Sequence, residues 1–88
     1  MTGSQPRPLV AGNWKMNGLS SQLEEIRLLA GMLDGAALRC DVLVCPPATL
    51  LSRASAIVPG VALGGQDCHA QAAGAHTGDV SAEMLKDG

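Results

Sequence analysis

The sequence has 88 residues, a formal net charge of −2 and 47% hydrophobic residues, with one Trp and no Phe or Tyr. That apolar fraction is ordinary for a globular chain and too high for a disordered one. The Lys and Arg residues are scattered and form no basic face, which argues against a nucleic-acid or membrane-surface partner.

The N-terminal residues read MTGSQPRP and contain no apolar signal core, so we expect no secretory leader. No apolar stretch approaches the ~20 residues of a membrane span. The spacing of Cys40, Cys45 and Cys68 forms no disulfide framework, and we expect three buried or half-buried thiols in an intracellular, cytoplasmic protein. A metal site of Cys68, His69 and His76 is the less favoured alternative, because CxxC or HxxxH spacing is absent.

The first half of the chain predicts a strand, a helix and a second strand. Residues 9–11 form a short apolar strand, and Ser21 with Glu24 makes a capping-box pattern at a helix start. The helix carries an apolar stripe formed by Leu23, Ile26, Leu29, Ala30, Met32 and Leu33. Gly35 is a suitable terminator. Residues 42–45 are continuously apolar, which indicates a strand buried on both faces.

The second half repeats this alternation. Residues 48–57 form a helix whose apolar positions are Leu50, Leu51, Ala54 and Ile57. Pro59 and Gly60 close it, and residues 61–63 form a third strand. The polar, glycine-rich residues 66–79 predict a long loop, after which Ser81 caps a last helix over residues 82–86. Strands alternating with helices predict right-handed crossovers and a parallel α/β sheet.

A parallel sheet of three strands leaves two open edges, and the chain stops where the last helix should lead into a fourth strand. We therefore expect residues 1–88 to be the N-terminal part of one larger domain.

Residues 12–18 are the most suggestive segment for chemistry, because loops after the carboxyl ends of parallel strands converge to build sites. Asn13 offers an amide there and Lys15 a cation that suits an anionic substrate. A solvated loop lysine is the alternative interpretation, since Lys is rarely buried. Neither GxxxxGK[ST] nor GxGxxG is present, so a phosphate-binding loop of those types is excluded.

Four segments together resemble the triosephosphate isomerase family. They are AGNWKMNG at residues 11–18, CPP at 45–47, GQD at 65–67, and GAHTGDVS at 74–81 with MLKD at 84–87. They occur in the family's order and spacing, and the first is highly specific.

The resemblance implies a (β/α)8 TIM barrel, of which strands 1–3 and their helices are present. Family members interconvert dihydroxyacetone phosphate and glyceraldehyde 3-phosphate through an enediolate, in glycolysis and gluconeogenesis, with no metal or organic cofactor. By the match, Asn13 and Lys15 bind substrate, and Lys15 is catalytic because it stabilises negative charge on substrate and transition state. Trp14 is expected to pack beneath the turn.

The resemblance also implies a homodimer in which the long loop projects into the partner subunit. His76, Thr77 and Gly78 are then interface residues, with Thr77 and Gly78 at the tip. Asp67, His76 and Asp79 stand where many members carry Asn, an aromatic residue and Glu, and Asp67 adds a negative charge near that interface.

The family's catalytic histidine and glutamate lie beyond residue 88, so the resemblance implies that this chain alone is inactive. The alternative hypothesis is a stand-alone, non-catalytic α/β module that binds a phosphorylated metabolite or a partner chain.

Overall fold

The computed structural model describes residues 6–58 and 60–88, and their strands form a parallel sheet in the order β1-β2-β3. The strands are β1 (Leu9–Asn13), β2 (Asp41–Cys45) and β3 (Ala62–Leu63). The helices are α1 (Leu23–Leu33), which follows a 3₁₀ turn at Ser20–Gln22, α2 (Ala48–Ile57) and α3 (Ala82–Asp87). The predicted α/β order and parallel pairing are confirmed. Of the predicted helix terminator, Pro59 lies outside the described residues.

The core lies between the sheet and the first two helices. Ile26 of α1 is 1% exposed and Ala54 of α2 is fully buried, and both pack in one cluster with Val44 of β2. The remaining members of this cluster are Leu23, Leu50, Val58 and Val61. Branched aliphatic side chains fill the space, as expected for a chain with a single aromatic residue.

Burial of the strands differs from the prediction that β2 is buried on both faces. Only Val44 of β2 is fully buried, and all of β1 is exposed, with Leu9 at 60% and Val10 at 57%. The reason is that α1 and α2 pack against the side of the sheet that carries Val44.

The apolar stripes of both helices are narrower than their spacing predicts. Met32 of α1 is 78% exposed and Ile57 of α2 is 41% exposed, so neither belongs to the core. Helical periodicity locates the centre of a buried face, but the packed neighbours decide how wide that face is.

Of the three helix ends that the sequence predicts, one is wrong and two are confirmed. The Ser21–Glu24 capping box is wrong, because Ser21 lies inside the 3₁₀ turn and no side chain caps α1. Gly35 adopts a left-handed φ of 73° just after α1, as a C-terminal glycine should. The Ser81 hydroxyl accepts a hydrogen bond from the Met84 amide at 3.2 Å and caps α3 as predicted.

The register of the sheet determines where a site can form. Asn13 at the end of β1 lies opposite Cys45 at the end of β2, and Val44 pairs with Leu63 of β3. The carboxyl ends of all three strands therefore meet at one edge of the sheet, called the carboxyl edge below. Among the described residues, no helix is long and apolar enough to cross a membrane.

Replacing Ile26 by Ala tests the position of the core. The variant leaves a cavity between α1 and the sheet, and we expect it to lower the free energy of unfolding by about 2–5 kcal/mol. Leu28→Ala is the control on the same helix, because Leu28 is 56% exposed, and it should change that energy by only about 0.5 kcal/mol. Urea unfolding of the larger domain to which residues 1–88 are expected to belong, followed by circular dichroism, measures both, and equal midpoints would contradict the assigned core.

Candidate functional site

The turn after β1 contains an unusual backbone conformation at Lys15. Its φ is 59°, and it is the only residue other than glycine with a positive φ in the described ranges 6–58 and 60–88. For a residue with a Cβ atom, this left-handed conformation is less stable than the ordinary one by about 1–2 kcal/mol. Such strain persists only where surrounding contacts hold it, and it is often found at functional sites.

Three hydrogen bonds hold Lys15 in this conformation. The Lys15 amide donates to the Asn13 side-chain oxygen at 2.7 Å. The Lys15 carbonyl accepts from the Asn17 amide at 2.9 Å and from the Gln66 side-chain amide at 2.8 Å. Since each bond contributes roughly 0.5–1.5 kcal/mol net, the three together offset the cost of the left-handed turn.

Gln66 ties the ends of the three strands together. It follows β3, and its Nε2 donates to the Lys15 carbonyl and, at 3.0 Å, to the Cys45 carbonyl at the end of β2. The Cys45 carbonyl also accepts from the Trp14 amide at 3.0 Å. Sequence reasoning placed Gln66 at the end of the third strand but assigned it no role, because its partner Lys15 is 51 residues away in the chain.

Trp14 supports the turn from below, as predicted. It is half-buried and packs against the core cluster. Gly18 closes the turn with a φ of 126°, and a Cβ atom at this position would lie 2.7 Å from the Trp14 ring. Position 18 therefore requires glycine for two reasons, its positive φ and the close approach of the Trp14 indole.

The Lys15 ammonium is free to meet an anion. Within the part of the chain that the structure describes, the ion pairs are Arg7–Asp41 and Arg27–Glu24, and neither involves Lys15. Lys15 borders an open groove of about 690 Å³, together with Met16, Pro47, Thr49 and Gln66. A cation at the rim of this groove, with Asn13 beside it, suits a small anionic ligand. Among the described residues, no carboxylate forms an ion pair with Lys15 that a ligand would have to displace.

The loop after β3 is ordered by two histidines. The rings of His69 and His76 stack with centroids 3.8 Å apart. His76 Nε2 is hydrogen bonded to the Gln71 side-chain oxygen at 2.6 Å. The backbone amide of Gln71 donates to His69 Nδ1 at 3.0 Å. The predicted long loop is confirmed, and its histidines make internal hydrogen bonds rather than facing solvent alone.

Thr77 and Gly78 are exposed beside this stack. Gly78 has a φ of 88°, and a Cβ atom there would contact nothing within 4 Å. No hydrogen bond among the described residues joins Thr77 or Gly78 to Asn13 or Lys15. The structure thus places the predicted substrate residues together at the carboxyl edge and leaves the predicted interface residues in a separate loop.

The cysteines follow the prediction only in part. Cys40 and Cys45 are half-buried thiols as expected, but Cys68 is exposed, so the prediction is wrong for that residue. It lies in the polar loop, where no helix covers it. Among residues 6–58 and 60–88, no group of three or more His, Cys, Asp or Glu side chains is placed to hold a metal ion.

Comparison with known proteins gives a consistent result. The family model described as triosephosphate isomerase matches residues 8–88. The triosephosphate isomerase of Caulobacter vibrioides is 55% identical over 99% of this chain and 35% of its own length. That of Xanthobacter autotrophicus is 61% identical over 92% of this chain and 33% of its own length. The chain thus spans about a third of the length of these relatives.

A crystal structure of triosephosphate isomerase from Bartonella henselae superposes with a TM-score of 0.84 and 48% identity. It covers 93% of this chain and 34% of the solved one. The predicted fold class is therefore confirmed, because the three parallel strands and their helices match the first β/α units of a TIM barrel.

Replacing Gly18 by Ala tests the support beneath the turn. The added Cβ clashes with the Trp14 ring at an unfavourable φ, and we expect a loss of about 1–3 kcal/mol in the free energy of unfolding. Gly31→Ala is the control, because Gly31 lies in α1 with open space around it, and it should stabilise by about 0.5–1 kcal/mol. Urea unfolding of the larger domain that contains these residues measures both, and equal midpoints would contradict the close contact between Gly18 and the indole.

Proposed function

Since this chain belongs to the triosephosphate isomerase family, we propose that it supplies the first substrate-binding segment of an enzyme that interconverts dihydroxyacetone phosphate and glyceraldehyde 3-phosphate through an enediolate. The observation that carries the proposal is the strained Lys15 turn at the carboxyl edge, with its φ of 59° and its unpaired ammonium. A backbone conformation that costs energy and displays one cation is typical of a binding site.

Lys15 acts by electrostatic attraction in this proposal. Opposite charges ~4 Å apart attract by about 1 kcal/mol in water and by about 4 kcal/mol at an effective dielectric of 20. Lys15 is exposed in this chain, so its full effect requires a closed and drier site. Its held backbone fixes the position of Cα and the direction of the Cα–Cβ bond before substrate arrives, which limits the reorganisation needed to bring the ammonium to an enediolate.

Asn13 has a double role in the proposal. Its side-chain oxygen accepts the Lys15 amide, which leaves its NH₂ group as a donor for a substrate oxygen. The three glutamates lie in helices rather than at the Lys15 turn, since Glu24 and Glu25 are in the first turn of α1 and Glu83 is in the first turn of α3. We assign the proton-transfer groups to the part of the relatives that this chain does not cover.

A chimeric enzyme tests the role of Lys15. Residues 8–88 replace the matching first third of the Caulobacter vibrioides relative, which is 55% identical. We expect the chimera to isomerise glyceraldehyde 3-phosphate, and Lys15→Met to lower kcat/KM by at least about 10²- to 10³-fold, as the loss of one preorganised charge-stabilising group does. A coupled assay measures both.

Lys86→Met is the matched control, because Lys86 is the other lysine of the chain and lies in the last turn of α3. It should leave kcat/KM unchanged. The 88-residue chain assayed alone should show no turnover. An inactive chimera, or equal effects of the two lysine substitutions, would overturn the proposed function.

We further propose that the loop of residues 66–79 forms a homodimer interface, with His76, Thr77 and Gly78 as contacts. The exposed Thr77 and Gly78 and the internally ordered loop behind them support this role. We also propose that the enzyme is cytoplasmic and needs no cofactor, as its family membership favours.

Thr77→Arg in the same chimera tests the interface. A long charged side chain at the loop tip should lower the dimer affinity at least about tenfold, because an unpaired charge must lose water on association. Ala56→Arg, at an exposed position of α2, introduces the same charge and is the control. Sedimentation velocity over a dilution series measures both, and a dimer unaffected by Thr77→Arg would remove this loop from the interface.

The alternative, a stand-alone module that binds a phosphorylated metabolite or a partner chain, requires that the 88-residue chain folds by itself. A cooperative thermal transition of the isolated chain, together with an inactive chimera, would favour that alternative over the enzyme.

A further inference from the structure

We propose that Gln66 is a positioning residue for Lys15, which means that it directs the ammonium by holding the Lys15 backbone in the left-handed conformation. The inference rests on the proposed function of Lys15 and adds to it a residue that lines the same groove and acts through the Lys15 backbone.

The first support is that both N–H donors of the Gln66 side chain have hydrogen-bond acceptors. Its amide has two N–H donors, and these go to the carbonyls of Lys15 at 2.8 Å and Cys45 at 3.0 Å. Each carbonyl also accepts one backbone amide, from Asn17 and Trp14 respectively. A carbonyl oxygen has two lone pairs, so both acceptors are fully used and the side chain of Gln66 is fixed at its amide end.

The second support is that Gln66 reaches the Lys15 backbone with a side-chain hydrogen bond from a distant part of the chain. The other hydrogen bonds of the Lys15 backbone come from Asn13 and Asn17, which lie within the turn itself. Among the described residues, Gln66 is the side chain from outside the turn that bonds to the Lys15 backbone. Local bonds shape the turn, and Gln66 fixes its orientation relative to β2 and β3.

The third support is geometric. The φ of Lys15, which is 59°, sets the direction in which its Cα–Cβ bond leaves the turn. If φ returned to the ordinary negative region, the Cα–Cβ bond would point in another direction and carry the ammonium away from its present place. A displacement of about 1 Å at a group that contacts substrate costs up to about 10²-fold in rate.

Gln66→Met tests the inference, because methionine keeps the length of the side chain and removes both donors. In the chimera described above we expect Lys15 to leave the left-handed region, as read from the HN–Hα coupling and the intraresidue HN–Hα cross-peak in NMR spectra. We expect kcat/KM to fall roughly 10- to 100-fold.

A double-mutant cycle separates positioning from general stability. In a Lys15→Met background, Gln66→Met should cause no further loss of kcat/KM, because nothing is left to position. Ser81→Ala is the control, since it also removes a hydrogen bond, the one that the Ser81 hydroxyl accepts from the Met84 amide at 3.2 Å, away from the groove that Lys15 borders. It should lower Tm without lowering kcat/KM.

Three outcomes overturn the inference: a left-handed Lys15 in the Gln66→Met variant, an unchanged kcat/KM, or an equal further loss in the Lys15→Met background. The NMR measurement needs no activity. An inactive chimera in which Gln66→Met still releases the Lys15 φ would therefore refute the proposed function while supporting the link between Gln66 and Lys15.

Discussion

The parallel register between β1 and β2 is the constraint on which the other features depend. Because Asn13 lies opposite Cys45, the carbonyl of Cys45 reaches both the Trp14 amide and the side chain of Gln66. Arg7 fastens the opposite ends of the same strands, where it bonds to Asp41 and to the Leu38 and Cys40 carbonyls. A shift of the β1–β2 pairing by one residue would separate all these partners, so the contacts of the site depend on the register.

The core and the site are linked through a single indole. Trp14 contacts the cluster that contains Ile26 and Val44, and it lies under the turn that displays Lys15. The turn thus gains its support from aliphatic packing and its shape from hydrogen bonds. The backbone that carries Lys15 is therefore held in place before any ligand binds.

Much of the fold could be predicted from the sequence, because it depends on local patterns. The helix stop at Gly35 and the Ser81 cap follow from backbone preferences within a few residues. The start of α1 did not follow its local pattern, since Gln22 bonds to the Leu19 amide and the side chain of Arg53 reaches Ser20 from another helix. Asn13 and Lys15 were predicted as site residues from their place at the end of the first strand and from the resemblance of residues 11–18, whereas the contact of Gln66 with Lys15 spans 51 residues and no local pattern records it.

The stacked histidines of the loop have a consequence for the kinetics of association. His69, His76 and Gln71 already restrict one another through ring contact and two hydrogen bonds. A loop ordered before encounter loses little conformational entropy when it meets another surface. In the proposed homodimer, docking of Thr77 and Gly78 should then resemble rigid-body recognition, with rates near the ordinary range of about 10⁵–10⁷ M⁻¹s⁻¹ rather than the slower rates of a segment that must first rearrange.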